Sequence, residues 1–180
     1  TDVSHTACPT FDDVVAVIRR EAEQAAPGAF VLAKRFDPSV FPGEPLLTRD
    51  LLDRIAPDHP VIVMNASLHF VYVNSAAFAA ARITDDVVDP PGGRFGRADG
   101  RLNGVVGEPP AMLRLLAPVP KPDEAGIAAG VRRILTGAAA RGVTSVRDAA
   151  TGTLAGVGEV ALLHRINGAD RRSEEHTSEL

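Results

Sequence analysis

The sequence is most informative over the stretch Pro60-Val-Ile-Val-Met-Asn65-Ala-Ser-Leu-His69-Phe-Val-Tyr-Val-Asn74-Ser75. Val61–Met64 is a short apolar run between a proline and polar residues, which is typical of a parallel strand buried on both faces. Phe70–Val73 is a second β-prone run, and Asn74 is a good N-cap for the alanine-rich helix predicted after it. We therefore expect His69 and Asn74 to lie at loop ends, where α/β enzymes bind ligands.

Both residues also have a purely structural interpretation. His69 would then be a histidine satisfied within the fold, and Asn74 a simple helix cap. The sequence leaves the two interpretations open.

Helical and strand signals alternate along the rest of the chain. A helix is predicted from Thr10 to Pro27, a strand over Phe30–Ala33, and a helix from Thr48 to Pro57. Pro122 begins a later helix that Gly142 ends, and its buried stripe would contain Ile127, Val131, Ile134, Leu135 and Ala138.

The end of the chain repeats the pattern of strand, acidic residue and helix. Val143–Val146 is β-branched and predicts a strand, Asp148 falls just beyond its carboxyl end, and a helix is predicted from Leu154. This order is typical of an α/β fold with a parallel sheet or barrel, in which active sites gather at the carboxyl ends of strands. Asp148 is therefore a site candidate, although a loop carboxylate or helix cap explains it equally well.

Residues 84–120 interrupt the alternation with many prolines and glycines and few apolar residues. Asp99-Gly100 and Asn103-Gly104 favour tight turns, and Phe95–Val106 predicts a small hairpin. We interpret 84–120 as an irregular insertion, which is either functional or a solvated excursion.

Composition and motifs exclude several classes of protein. The 180 residues carry a net charge of −4 without a basic cluster, which argues against a nucleic-acid partner. No apolar run is long enough to span a membrane, and Cys8 is the single cysteine, so an internal disulfide is excluded. The sequence lacks a dinucleotide-binding glycine fingerprint, a phosphate-binding loop and a Gly-x-Ser-x-Gly elbow.

Four motifs occur together in the order of a known family. Pro60-Val-Ile-Val, His69 with Tyr72-Val-Asn74-Ser75, Pro91-Gly-Gly93 leading to Asp99-Gly100 and Gly104, and Gly142-Val-Thr-Ser-Val-Arg-Asp148 resemble the N-terminal half of family 3 amidohydrolases. The similarity is to the N-substituted formamide deformylase type and covers roughly Asp2 to Asn167.

The resemblance implies a partial TIM barrel from a metal-dependent hydrolase that acts on carbon–nitrogen bonds other than peptide bonds. A divalent metal, expected to be zinc, would activate water against a small-molecule amide-type substrate. The metal ligands of the family include a His-x-His pair, which this chain lacks, so no ligand is assigned here. The resemblance implies that His69, Asn74 and Asp148 contact the substrate or shape its pocket.

The resemblance to this family also predicts how the chain is organised. Residues 1–171 are expected to form the partial barrel domain, with 84–120 as its irregular insertion. Residues 172–180 resemble a translated sequencing adapter and are excluded from fold reasoning. We expect an inactive internal fragment of a bacterial protein, which is assigned provisionally to the cytoplasm.

Two other functions remain open. One is a non-catalytic α/β module that binds a small molecule through the loop from Asn65 to Asn74, and binding without metal would favour it. The other is a different barrel or doubly wound enzyme such as a dehydrogenase, against which the absence of the glycine fingerprint counts.

Overall fold

The computed structural model describes residues 1–43, 47–148 and 157–170. Its helices are α1 (Phe11–Gln24), α2 (Arg49–Ile55), α3 (Ser75–Ala80), α4 (Pro109–Leu116), α5 (Glu124–Ala139) and α6 (Val157–Asp170). Its strands are β1 (Val31–Phe36), β2 (Val61–Asn65), β3 (Phe70–Val73), β4 (Arg94–Ala98) and β5 (Arg101–Gly107). The tail at 172–180 and the predicted helix start at Leu154 lie outside the described residues.

The chain divides into two compact units, Thr1–Val119 and the part from Pro120 onward. The first unit holds all five strands and helices α1 to α4, whereas the second is described by α5 and α6. The prediction of one domain over 1–171 stays a prediction. No helix in the described ranges has the length and apolar character that a membrane span requires.

The first unit is built on a five-stranded sheet with the order β1-β2-β3-β5-β4. β2 runs parallel to β1, with Val31 opposite Val61, and antiparallel to β3, with Met64 opposite Val71. The strands predicted near β1, β2 and β3 are therefore confirmed, but most neighbours in the sheet are antiparallel.

Alternate residues of β2 enter different cores, as the period of a strand requires. Val61 and Val63 pack with α1 and α2, whereas Ile62 packs with α3 and α4 on the opposite face. The prediction that this strand is buried on both faces is confirmed. Helices therefore cover both faces of the sheet.

Helices α1, α2 and α3 begin where the sequence predicts, whereas α4 lies in the segment interpreted as an irregular insertion. Thr10 and Asp13 form a reciprocal capping box at the start of α1, and the Thr48 side chain caps α2 by accepting from the Leu51 amide. Asn74 caps α3 by accepting from the Ala77 amide. These signals are local, so the sequence predicts them well.

Residues 84–120 are more regular than the sequence analysis predicts. The hairpin of β4 and β5 is present, with Asp99 and Gly100 at φ 50° and 78° in its turn. β5 also pairs with β3, with Val71 opposite Val106, so the hairpin extends the main sheet. Burial of Leu102 and Val106 on the face that α4 covers accounts for this placement.

The second unit departs from two predictions. Ile127 and Ile134, placed in the buried stripe of α5, are 40% and 65% exposed, and Ala128 is buried instead. The predicted strand Val143–Val146 is not formed, since the described residues 143–148 are in neither helix nor strand. Gly142 does follow α5 in the left-handed conformation, at φ 79°, as predicted.

Candidate functional site

His69 lies at the start of β3 and is fixed by a carboxylate. Its Nδ1 is 2.9 Å from Oε2 of Glu108, which follows the carboxyl end of β5. The backbone joins the same two residues, because the Glu108 amide donates to the His69 carbonyl at 2.8 Å. The side chains remain 60% and 46% exposed, so an outside molecule can reach the pair.

Glu108 occupies an unusual backbone position. Its φ is 66°, in the left-handed region that favours glycine, and two prolines follow it at the start of α4. It is the N-cap residue of α4, yet its side chain makes no capping hydrogen bond. The carboxylate is directed to His69 instead.

Asn65 and Tyr72 form a buried hydrogen bond at this end of the sheet. Asn65, at the end of β2, donates from Nδ2 to the Tyr72 hydroxyl at 3.0 Å and accepts from the Ser67 amide at 2.8 Å. Both side chains are buried, and burial raises the pKa of the Tyr72 phenol. These contacts order the turn that leads to His69, whose amide donates to the Ser67 hydroxyl.

Asn74 lies at the opposite end of β3, about 16 Å from His69 at roughly 3.3 Å per residue. Its side chain is fully buried, and Oδ1 accepts from the amides of Val61 and Ala77. Its Nδ2 donates to the carbonyls of Ala56 and His59. All four hydrogen-bonding positions are filled, so the structure explains Asn74 without a ligand.

Asp148 belongs to the second compact unit and is exposed. The sequence makes it a candidate because it would follow a strand, and residues 143–146 do not form that strand. Its role at the rim of a pocket remains a prediction from the family resemblance alone. Among the three predicted site residues, His69 is the one whose described contacts form a histidine–carboxylate pair.

Arg49 organises a second polar cluster that the sequence analysis did not identify. Its Nε donates to the Ser75 hydroxyl at 2.7 Å, and its Nη1 is 3.1 Å from a carboxylate oxygen of Asp85. Asp53 accepts from both the amide and the hydroxyl of Ser75. A hydrogen bond from the Leu102 amide is the main cause of the lowered pKa of Asp85.

This cluster ties α2, α3, the loop before β4 and the strand β5 together. It adjoins a depression of about 300 Å³ lined by Thr48, Arg49, Asp50, Ala98, Asp99, Arg101, Leu102 and Asn103. The partners of Arg49 lie 26 and 36 residues away in sequence, so no local pattern predicts the cluster. Since each of these groups bonds to another element, we interpret it as a structural clamp.

The described part of the chain does not fit a metal centre. Within residues 1–43, 47–148 and 157–170, no three His, Cys, Asp or Glu side chains are grouped so that they could hold an ion. His69 and Glu108 supply only two suitable groups, and they bond to each other. His59 instead bonds through Nδ1 to the Ala29 carbonyl, and His164 lies on an exposed part of α6.

Comparison with known proteins places the chain in a family. The model of the amidohydrolase family matches residues 1–175. The chain belongs to the amidohydrolase family. The resemblance inferred from the four sequence motifs is thereby confirmed.

This amidohydrolase chain is similar to two curated relatives over more than half of its own length. It is 33% identical to N-substituted formamide deformylase of Arthrobacter pascens over 113 residues, which are 62% of this chain and 21% of that protein. It is 28% identical to the putative amidohydrolase YtcJ of Bacillus subtilis over 108 residues, 60% of this chain and 19% of that protein. The matches thus span about a fifth of each relative.

A solved structure shares the fold of the amidohydrolase chain. It is an uncharacterized metal-dependent hydrolase from Pyrococcus furiosus, with a TM-score of 0.50 and 15% sequence identity. The match covers 94% of this chain and 31% of that one. The mixed α/β fold is therefore shared with part of a larger protein.

Proposed function

We propose that this chain is part of a hydrolase that cleaves a non-peptide, amide-type carbon–nitrogen bond in a small molecule. The observation that carries the proposal is the family match over residues 1–175. The 33% identity to an N-substituted formamide deformylase supports the choice of formamides as the first substrates to test.

In this proposal, the sheet is one sector of a TIM-like barrel in the whole protein. β1 and β2 are parallel, and His69 and Glu108 lie at the edge where their carboxyl ends meet solvent. In such barrels, residues at this edge serve the chemistry, whereas the opposite edge serves stability. His69 on one edge and the fully bonded Asn74 on the other agree with that division.

A divalent metal, with zinc as the first choice, belongs to the proposal for the whole protein. The described residues do not fit a metal site, so its ligands would come from other residues of that protein. The 180-residue chain alone is then inactive.

The test compares the whole protein with the 180-residue chain, using N-butylformamide as substrate and formate release as the signal. We expect the whole protein to release formate, to lose this activity in a chelator and to regain it with zinc. We expect no activity from the 180-residue chain. Formate release by the chain itself would contradict the proposed placement of the metal ligands.

Direct binding distinguishes the proposal from a binding module. N-butylformamide would be titrated calorimetrically into the metal-free 180-residue chain. Saturable binding there, together with no formate release by the whole protein, would favour a non-catalytic module.

A further inference from the structure

Glu108 orients the imidazole ring of His69 at an accessible end of the sheet. Side chains and backbone both join the two residues, which are 39 positions apart in sequence. The carboxylate reaches Nδ1, so the opposite ring nitrogen, Nε2, is left for another partner. With 60% of the His69 side chain exposed, that partner can come from solution.

The contact determines which ring nitrogen carries the proton in neutral His69. A carboxylate only accepts hydrogen bonds, so Nδ1 must hold the hydrogen that it donates to Glu108. Nε2 then keeps its lone pair and accepts a hydrogen bond. The neutral ring thus presents an acceptor on its outer side.

Backbone geometry is unfavourable at two residues, one within the pair and one beside it. Leu68 and Glu108 have φ values of 64° and 66°, in the region that disfavours side chains with a Cβ. An exposed histidine–carboxylate pair contributes little to the free energy of folding. Unfavourable backbone conformations beside an accessible pair are typical of a functional arrangement.

We propose that Glu108 is a positioning residue that holds His69 with its proton on Nδ1, and that His69 Nε2 accepts a hydrogen bond from a substrate N–H. The inference rests on the proposed function and names the part of the substrate that this edge recognises. A singly N-substituted amide or formamide carries one such N–H. An N,N-disubstituted amide carries none, so His69 should discriminate between the two classes.

The experiment uses the whole protein and a matched pair of substrates, N-butylformamide and N-butyl-N-methylformamide. His69→Asn keeps a short donor toward Glu108 but lacks an acceptor at the Nε2 position. We expect this variant to lower kcat/KM for N-butylformamide about 10-fold, mostly through a higher KM, as loss of one neutral hydrogen bond allows. With N-butyl-N-methylformamide, kcat/KM should stay the same.

Glu108→Gln tests the positioning role separately. We expect a smaller loss with N-butylformamide, about 3-fold, and again no change with the disubstituted compound. Glu124→Gln is the matched control, because Glu124 is an exposed glutamate whose carboxylate is 2.9 Å from Arg165 in the second unit. It should leave both substrates unaffected.

The ¹⁵N chemical shifts of the His69 ring give a readout that does not depend on activity. In the wild type they should show the proton on Nδ1, and Glu108→Ala, which leaves no side-chain acceptor at this position, should shift the ring toward the other tautomer. An unchanged tautomer would overturn the positioning role. Equal losses on both substrates in His69→Asn would indicate a structural role and overturn the acceptor role.

Failure of the proposed function gives a different pattern. A wild-type protein that hydrolyses neither formamide would overturn both that function and the acceptor role. A wild type that hydrolyses both compounds, with variants that do the same at unchanged rates, would overturn the inference alone.

Discussion

Asn74 illustrates how one buried side chain can join three segments. Its amide group bonds to Val61 at the start of β2, to Ala77 in α3, and to the carbonyls of Ala56 and His59 after α2. Removing the side chain would leave these two amides and two carbonyls buried without hydrogen-bond partners. Unpaired buried polar groups destabilise a fold more than paired ones stabilise it.

We therefore expect Asn74→Ala to lower the free energy of unfolding by about 3 kcal/mol. Asn103→Ala is the control, because Asn103 is only half-buried and its described bond is to the nearby Val105 amide. That variant should lose about 1 kcal/mol. Urea unfolding of each variant measures the difference, and equal losses would show that Asn74 is a simple cap.

Tyr72 predicts a specific weakness at alkaline pH. Burial raises the pKa of its phenol, and the nearby charge of Asp37 acts in the same direction. The folded state therefore keeps the phenolic proton at a pH where the unfolded chain, with a pKa of about 10, has lost it. The contribution of the Tyr72 phenol to the free energy of unfolding is fully present below pH ~10. It falls as the pH rises toward the pKa of the folded state.

Since the chain has one tyrosine, phenolate absorbance reports this group directly. We expect the folded protein to form phenolate at higher pH than the urea-unfolded chain. Tyr72→Phe should remove the corresponding part of the alkaline loss in unfolding free energy. An identical alkaline loss in wild type and variant would assign that loss to other groups.

At the scale of elements, Gly104 sets how closely β5 approaches α2. It has φ 93°, and a Cβ there would lie 2.5 Å from the Arg49 amide nitrogen and 2.7 Å from the Val73 carbonyl oxygen. Both neighbours are backbone atoms, so neither can move aside as a flexible side chain would. The close approach lets Arg49, at the start of α2, reach Ser75 and Asp85.

We expect Gly104→Ala to cost about 3 kcal/mol or more, from the steric clash together with the unfavourable φ. Gly100→Ala separates the two causes, because Gly100 has φ 78° but no atom within 4 Å of its would-be Cβ. Its cost should be about 1–2 kcal/mol. Thermal and urea unfolding measure both variants, and similar losses would rule out the clash.

The same glycine shows what a local pattern can and cannot predict. Asn103-Gly104 favours a tight turn by itself, yet the pair lies inside β5, because Asp99-Gly100 already forms the turn of the hairpin. Caps are predictable because their partners lie within a few residues, and short strands are predictable because an apolar run can be recognised without knowing its partner strand. The pairing of β5 with β3 depends on burial across the sheet, which the sequence pattern does not encode.

Long-range pairs limit prediction of the site in the same way. The place of His69 before a strand makes it a candidate, but its partner Glu108 is 39 residues away. Asn74 belongs to the same motif and lies at the opposite end of the strand. Because β3 is extended, the residues that flank it lie at opposite ends of the sheet, so two residues close in sequence need not belong to one site.

At the scale of the whole molecule, the first compact unit has the features of an independently stable fold. Both buried clusters consist of residues between Val3 and Val119, on the two faces of one sheet. In the described part of the second unit the buried apolar side chains are Ala128 and Ile166, whereas Ile127, Ile134, Val143, Val146 and Val157 are exposed. A unit that buries so few apolar side chains has little core of its own, and apolar surface left exposed favours association.

We expect residues 1–119 alone to be monomeric and to unfold in one cooperative transition, because they keep both clusters. The 180-residue chain should associate as its concentration rises. Ile134→Lys should reduce this association, since Ile134 is 65% exposed, whereas Leu68→Lys, at 67% exposure in the first unit, should leave it unchanged. Sedimentation velocity over a range of concentrations, with circular dichroism on heating, measures both properties. Loss of the cooperative transition in 1–119 would show that the second unit is needed for the fold of the first.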